Sequence, residues 1–261
     1  MNFVGILLTF VVGLFIFIGS LFATKFKNNK RFTDFSISLA FGVILALILF
    51  ELLPEVYEIL NNELNVVKTI LCIIIIILIG IFILKILDSF IPEHQHEFHH
   101  EHKHKDDKCH NDHLNHIGIM SSLAIILHNI IEGMSLSIVS SSSITNGILM
   151  CIGIGLHNIP MGLVIATTLY NSNYSKRNTL IITLIVSLST FVGGLIMLIV
   201  GDVPHLVEGI LLGITLGMLI YILIFELFHQ LYHMENKKIA TLGSVFGILL
   251  LVIAIVVKYF I

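Results

Sequence analysis

The chain has 261 residues, 56% hydrophobic and only 12% charged, with a formal net charge of −3 at neutral pH. A soluble domain carries about 25% charged residues and spreads them along its length. Here the mean hydropathy is +1.00, and the charges sit between apolar runs close to the ~20 residues that cross a hydrocarbon core. This composition excludes a soluble enzyme domain and gives no reason to expect nucleic acid as a partner.

The apolar runs predict an all-α integral membrane protein of eight transmembrane helices, at 3–23, 35–57, 66–90, 117–140, 146–170, 178–200, 206–232 and 240–260. Their length and the lack of strict alternation favour helices over a barrel. They nearly exhaust the sequence, so residues 1–261 read as one transmembrane domain embedded in a lipid bilayer. The first run is too long for a cleavable leader and lacks a basic n-region, so it reads as a signal anchor. The link at 141–145 (SSSIT) is very short.

Loops 24–34, 91–116, 171–177 and 233–239 hold 11 of the 14 basic residues, and they alternate along the chain. The positive-inside bias makes these loops cytoplasmic and both termini non-cytoplasmic. Loop 91–116, between helices three and four, contains nine of the 14 histidines plus Cys109. Such a composition cannot build a core and predicts a disordered, metal-binding segment that buffers or senses ions. Cys72, Cys109 and Cys151 are scattered and form no disulfide framework.

Ionisable groups at membrane depth are costly and by default mark a functional site. Here they are Glu51 and Glu55 in helix two, His128 and Glu132 in helix four, His157 in helix five, and Glu226, His229 and His233 in helix seven, joined by the polar Asn129 and Asn158. "LHNIIEG" at 127–133 and "LHNIPMG" at 156–162 are near copies in adjacent helices. His128 and Glu132 share a helix face, as do His157 and Met161, while each Asn lies about 100° round from its neighbouring His. Pro160 frees the carbonyl of Leu156 and Pro54 that of Phe50, which a membrane tolerates where backbone lines a path. The matched Gly133 and Gly162 predict close approach between helices four and five. Two imidazoles and a carboxylate on opposed helices suit Zn²⁺ or Fe²⁺.

The chain resembles ZIP-family (zinc- and iron-regulated-transporter-like) divalent metal transporters along its whole length. "HNIIEG" is similar to the family's HNxPEG-like motif, "HNIPMG" to its fifth-helix pattern, "ELLPE" to an HLLPE-type stretch, and "IYILIFELFHQ" to its seventh helix. The resemblance implies a transport site from His128, Glu132 and His157 with Asn129 nearby. Many relatives have a binuclear site; Asn158, Met161 and Thr190 stand where further acids would lie, which leaves one site.

The expected function is movement of Zn²⁺ or Fe²⁺ into the cytoplasm. Those ions are substrate, not cofactor, and no enzymatic activity is expected. Glu51, Glu55, Glu226 and His229 are expected to accept the ion on the cytoplasmic side. The resemblance further implies a homodimer, placed in the plasma membrane or an organellar one, in which helices 1, 4, 5 and 6 shift against 2, 3, 7 and 8. The alternative is an intramembrane metal-dependent hydrolase using the same groups to activate water.

Overall fold

The computed structural model of the chain describes residues 3–26, 29–90, 106–171, 174–201 and 204–260, and every element in them is helical. Helix α1 spans Phe3–Ala23. Helix α2 (Lys30–Leu47) passes through a π turn at Ile48–Leu52 into α3 (Leu53–Glu63), and α4 follows at Val66–Phe90. Then come α5 (Asp106–Ser142), α6 (Ile144–Asn171) and α7 (Lys176–Val200). Helix α8 (His205–Tyr221) passes through a second π turn, Ile222–Leu227, into α9 (Phe228–His233), and α10 spans Lys237–Phe260.

The starts are set by local chemistry. The Asn29 side chain accepts from the Phe32 N–H, and the Ser175 hydroxyl accepts from Asn178, each satisfying a helix-end donor. Helix α7 ends at Gly201, the one described residue at positive φ (76°), where a side chain would be strained.

Among the described residues, seven helices are long and apolar enough to cross a membrane, and a further apolar stretch, Ile125–Ser141 of α5, is shorter. Their outer surfaces are apolar: Ile70, Leu71, Ile74, Ile75, Leu78 and Phe82 of α4 are all exposed. Bare aliphatic surface of that extent is stable only against lipid or another apolar partner.

Two expectations about connections change. The link at 141–145 shrinks to Ser143, because its N–H still bonds to Val139 and its carbonyl already accepts from Gly147. Helix α5 starts at Asp106, so residues 106–116 are helical rather than part of a disordered loop. The rest of that loop, 91–105, lies outside the described residues.

Packing divides the helices into two blocks. Helices α1, α5, α6 and α7 pack on one another; the second block pairs α2 with α10, α4 with α8, and α3 with α8. The contacts are deepest where glycine removes the side chain. Gly133 meets the Thr190 backbone, Gly193 that of Ile130, Gly162 that of Ile16 and Gly19 that of Ile159, all inside the first block. Gly42 against Ser244, Gly80 against Ile214 and Gly247 against Leu39 do the same inside the second. Among the described residues no glycine approach of this kind crosses between blocks. The seam, where α6 meets α2 and α10 and α5 meets α8, is filled by side chains instead. One apolar cluster reaches from Ile44 and Leu47 of α2 to Val164 and Ile165 of α6. Across the seam the Ser135 hydroxyl of α5 donates to Glu208 of α8 at 2.9 Å.

The expected role of Gly133 and Gly162 is therefore corrected. They do not join helices α5 and α6 to each other; each docks its helix on a different neighbour, α7 and α1 respectively. In each motif the glycine follows the histidine by five residues, about 140° round the helix. The glycine face points outward to a flanking helix, and the histidine faces are left to meet.

Candidate metal centre

The histidine faces do meet. Glu132 Oε1 lies 3.0 Å from His157 Nε2 and 3.7 Å from His128 Nε2, and the two rings are 6.4 Å apart between centroids. One donor atom from each of the three residues falls within 4.8 Å of the others. No other group of three or more His, Cys, Asp or Glu side chains in the described residues gathers in this way.

All three side chains are buried: His128 and His157 are each 1% exposed and Glu132 8%. Burying a carboxylate is tolerated only with compensation. Glu132 has that from His157, but neither ring nitrogen of His128 has a hydrogen-bond partner. Donors spaced in this way suit one cation. Zinc ligands about 2.0–2.2 Å from the ion stand roughly 3.3–3.6 Å apart in a tetrahedron, which the observed 3.0 and 3.7 Å bracket. Small side-chain shifts would seat an ion.

Asn129 and Asn158 are fully buried on the flanks of this set. The Asn129 amide nitrogen donates to the Val186 carbonyl of α7 at 3.2 Å, and its oxygen has no partner. Neither amide atom of Asn158 has one. Met161, one turn after His157, is 1% exposed and sits in the main apolar core. Pro160 does not break its helix, because α6 runs on through Ile144–Asn171. The omitted backbone bond is its only local mark.

Glu51 and Glu226 occupy the two π turns. A π turn inserts an extra residue and re-aims the side chains around it, and such turns are frequent at functional sites. The first precedes Pro54, which stands in the opening turn of α3, so the sequence signalled an interruption there. The second contains neither Pro nor Gly and left no local signal. Glu51 is half-buried and lies close enough to His128 to act on it electrostatically. Glu55 is also half-buried.

The expected stripe of Glu226, His229 and His233 is split. Glu226 is buried at 4%, whereas both histidines are exposed and their rings meet at a tilt, 4.6 Å apart between centroids. Glu51 and Glu55, expected on the same cytoplasmic side as Glu226 and His229, lie on a rod that runs against theirs. Helix α3 packs on α8 while α2 packs on α9, so the two rods are antiparallel. The two carboxylate turns are therefore offset along the pair, the first lying against α8 and the second against α2.

Comparison with known proteins agrees with the motifs. A profile of the ZIP zinc transporter family matches residues 1–255. The zinc transporter ZupT of Streptococcus mutans is 28% identical over 134 residues, covering 51% of this chain and 50% of that protein. In that match the chain spans about half the relative's length. ZupT of Chlorobaculum parvum is 26% identical over 193 residues, 72% of each chain, and that of Chlorobium phaeovibrioides 30% over 134 residues, 50% of each. With the family profile matched over nearly the whole sequence, this chain belongs to the ZIP zinc transporter family.

Proposed function

We propose that the chain carries Zn²⁺, and less readily Fe²⁺, into the cytoplasm through one site made by His128, Glu132 and His157. The observation that carries this reading is the meeting of three buried donors from two near-identical motifs. Eight membrane crossings, both ends non-cytoplasmic, follow if α5 crosses with the rest and the basic loops face the cytoplasm. Glu51 and Glu55 then lie on the non-cytoplasmic half as receiving groups, and Glu226 and His229 lead out to the cytoplasm. The two glycine-locked blocks and their side-chain seam support a relative shift of α1, α5, α6 and α7 against the rest. A homodimer in the plasma membrane or an organellar one completes the proposal.

Uptake by proteoliposomes across a panel of divalent ions tests it. Saturable Zn²⁺ flux is expected, with Mn²⁺ a poor competitor because hard ions depend most on oxygen ligands. Hydrolysis of a lipid or peptide without any flux would favour the hydrolase. The sequence HEFHH at 96–100 spells a zinc-hydrolase motif, but it lies in the His-rich loop and outside the described residues.

Two further outcomes follow. Deleting residues 94–105 should leave flux intact and change only its regulation, since the three donors lie within the helical blocks; total loss of flux in an inserted deletion variant would make the loop part of the transport path. Met161→Leu should leave Cd²⁺ affinity within about twofold if the thioether is apolar filling, and weaken it about tenfold if sulfur reaches the ion. Met161 lies in the apolar core, so the smaller effect is expected. Isothermal titration separates the two.

A further inference from the structure

We infer that Ser135 and Glu208 form a gate that closes the metal site from the non-cytoplasmic side, and that His205 receives the Glu208 carboxylate when the gate opens. The inference rests on the transport reading above and names the residues that control access to its site.

The α5 face that carries the donors runs on into this contact. Ser135 follows Glu132 by three residues and His128 by seven. That spacing sets it within about 20° of the His128 direction and about 10 Å further along the axis. There the Ser135 hydroxyl donates to Glu208 Oε1 of α8 at 2.9 Å, across the seam between the two blocks. With the basic loops facing the cytoplasm, the end of α5 and the start of α8 both lie on the other side. The two helices therefore agree on which side of the donors the bond stands.

The closed contact leaves no passage for an ion. Ser135 is 5% exposed. Beside the bond is a cavity of about 10 Å³, walled by Ile131, Met134, Ile138 and Leu211 together with the two polar residues. Space of that size holds about one water. A hydrated divalent ion does not fit, and aliphatic walls offer it nothing in exchange for its shell. The bond itself joins a hydroxyl to a carboxylate, a stronger pairing than one between neutral groups.

Opening does not strand the carboxylate. Glu208 Oε2 lies 3.6 Å from His205 Nδ1 on the same helix, with the Glu208 side chain 16% exposed and that of His205 74%. An imidazole can donate to a carboxylate whether neutral or charged. When α5 shifts and takes Ser135 away, His205 stays with Glu208, because both belong to α8. A small side-chain rotation then brings the ring into hydrogen-bond range. The carboxylate exchanges a partner in the first block for one in its own, and the penalty of an unsatisfied, half-buried acceptor is avoided. Glu208 thus has a partner in either position of the blocks.

The test uses the full chain reconstituted in liposomes. In Ser135→Cys/Glu208→Cys, a short cleavable thiol cross-linker should bring zinc uptake to background, and reduction should restore it. The wild type treated in the same way controls for Cys72, Cys109 and Cys151. Undiminished uptake by the cross-linked protein overturns the inference. A reporter thiol reads the gate without flux, and decides the matter even if the double-cysteine variant fails to fold. Ile131→Cys, on the cavity wall, should react with a hydrophilic thiol reagent about tenfold faster when Ser135→Ala is added, since a hydrogen bond to a charged group is lost. Adding His205→Ala instead should slow the reaction about threefold, the scale of an exposed ion pair. Unchanged reactivity with Ser135→Ala removes the gate, and an unchanged or faster reaction with His205→Ala removes His205 from it. Failure of the transport reading looks different: neither the wild type nor the reduced double variant would carry zinc, while the two reporter rates would still diverge.

Discussion

Glu132→Gln, His128→Ala and His157→Ala are each expected to bring zinc uptake down to background while the protein still inserts and folds. Glu132 is the sole carboxylate in the gathered donor set, with Oε1 at 3.0 and 3.7 Å from the two imidazoles. An ion held there loses the only anionic ligand of the set in Glu132→Gln and one of three ligands in either histidine variant. Removing even an outer partner of a metal ligand lowers metal affinity about 10–100-fold, so losing a ligand outright should cost at least about a hundredfold. Folding should survive because the blocks are locked by backbone contacts at Gly133, Gly162, Gly19 and Gly193, none of which uses the three side chains. Glu132→Gln even retains a hydrogen-bond acceptor for His157. The measurement is initial zinc uptake normalised to inserted protein, beside a thermal melt. Near-normal flux in the His128→Ala/His157→Ala double variant would take the triad out of the path.

Much of this site's geometry is legible in the sequence, for a physical reason. A membrane makes buried charge so expensive that each His or Glu at depth stands out, and the doubled motif fixed which two helices had to oppose each other. Helix positions were legible because long apolar runs alternate with short polar stretches, and four alternate loops hold 11 of the 14 basic residues. Three features were not legible. The π turn at Ile222–Leu227, which packs against α2 and α5, has no Pro or Gly and so no local residue announced it. The split between buried Glu226 and exposed His229 follows from that turn, since helical periodicity had put both on one stripe. The partners of Gly133 and Gly162 were misassigned because a small residue announces a close approach without saying what approaches.

Hydrogen bonding sharpens the division between the blocks. Asn129 to Val186 and Ser187 to Gly13 tie the first block together through side-chain to backbone bonds, and Thr69 to Leu60 does so in the second. Ser135 to Glu208 reaches across the seam at the end of α8 nearest its start. A seam of interdigitated aliphatic side chains can slide at small cost because dispersion contacts are exchanged for others of the same kind. A helix pair fused at glycine cannot, since separating it opens voids along the backbone itself.

Gly162→Ala is therefore expected to be among the most damaging single-methyl substitutions in the chain. An added Cβ would fall well under 3.0 Å from the Ile16 carbonyl of α1, closer than real Cβ contacts come. The obstruction is backbone, with Ile16 itself completely buried, so no flexible side chain can yield. Helix α1 must move as a rod, and it also packs on α7 and α5, so the disturbance spreads through the whole block. Overpacking of a core costs about 1–3 kcal/mol where side chains adjust; a rigid backbone obstruction should cost about 3 kcal/mol or more by the same reasoning. Gly201→Ala is the counterpart. Its φ of 76° strains any side chain, yet nothing lies within 4 Å of an added Cβ. Only the penalty of a positive-φ, extended backbone, about 1–3 kcal/mol, applies there. Thermal melting and the yield of monodisperse protein should thus fall much further in Gly162→Ala than in Gly201→Ala. The reverse order would mean that α1 and α6 do not meet through Gly162. With that contact would go the reason His157 faces Glu132, because the glycine on the outer face is what turns the histidine of the same motif inward.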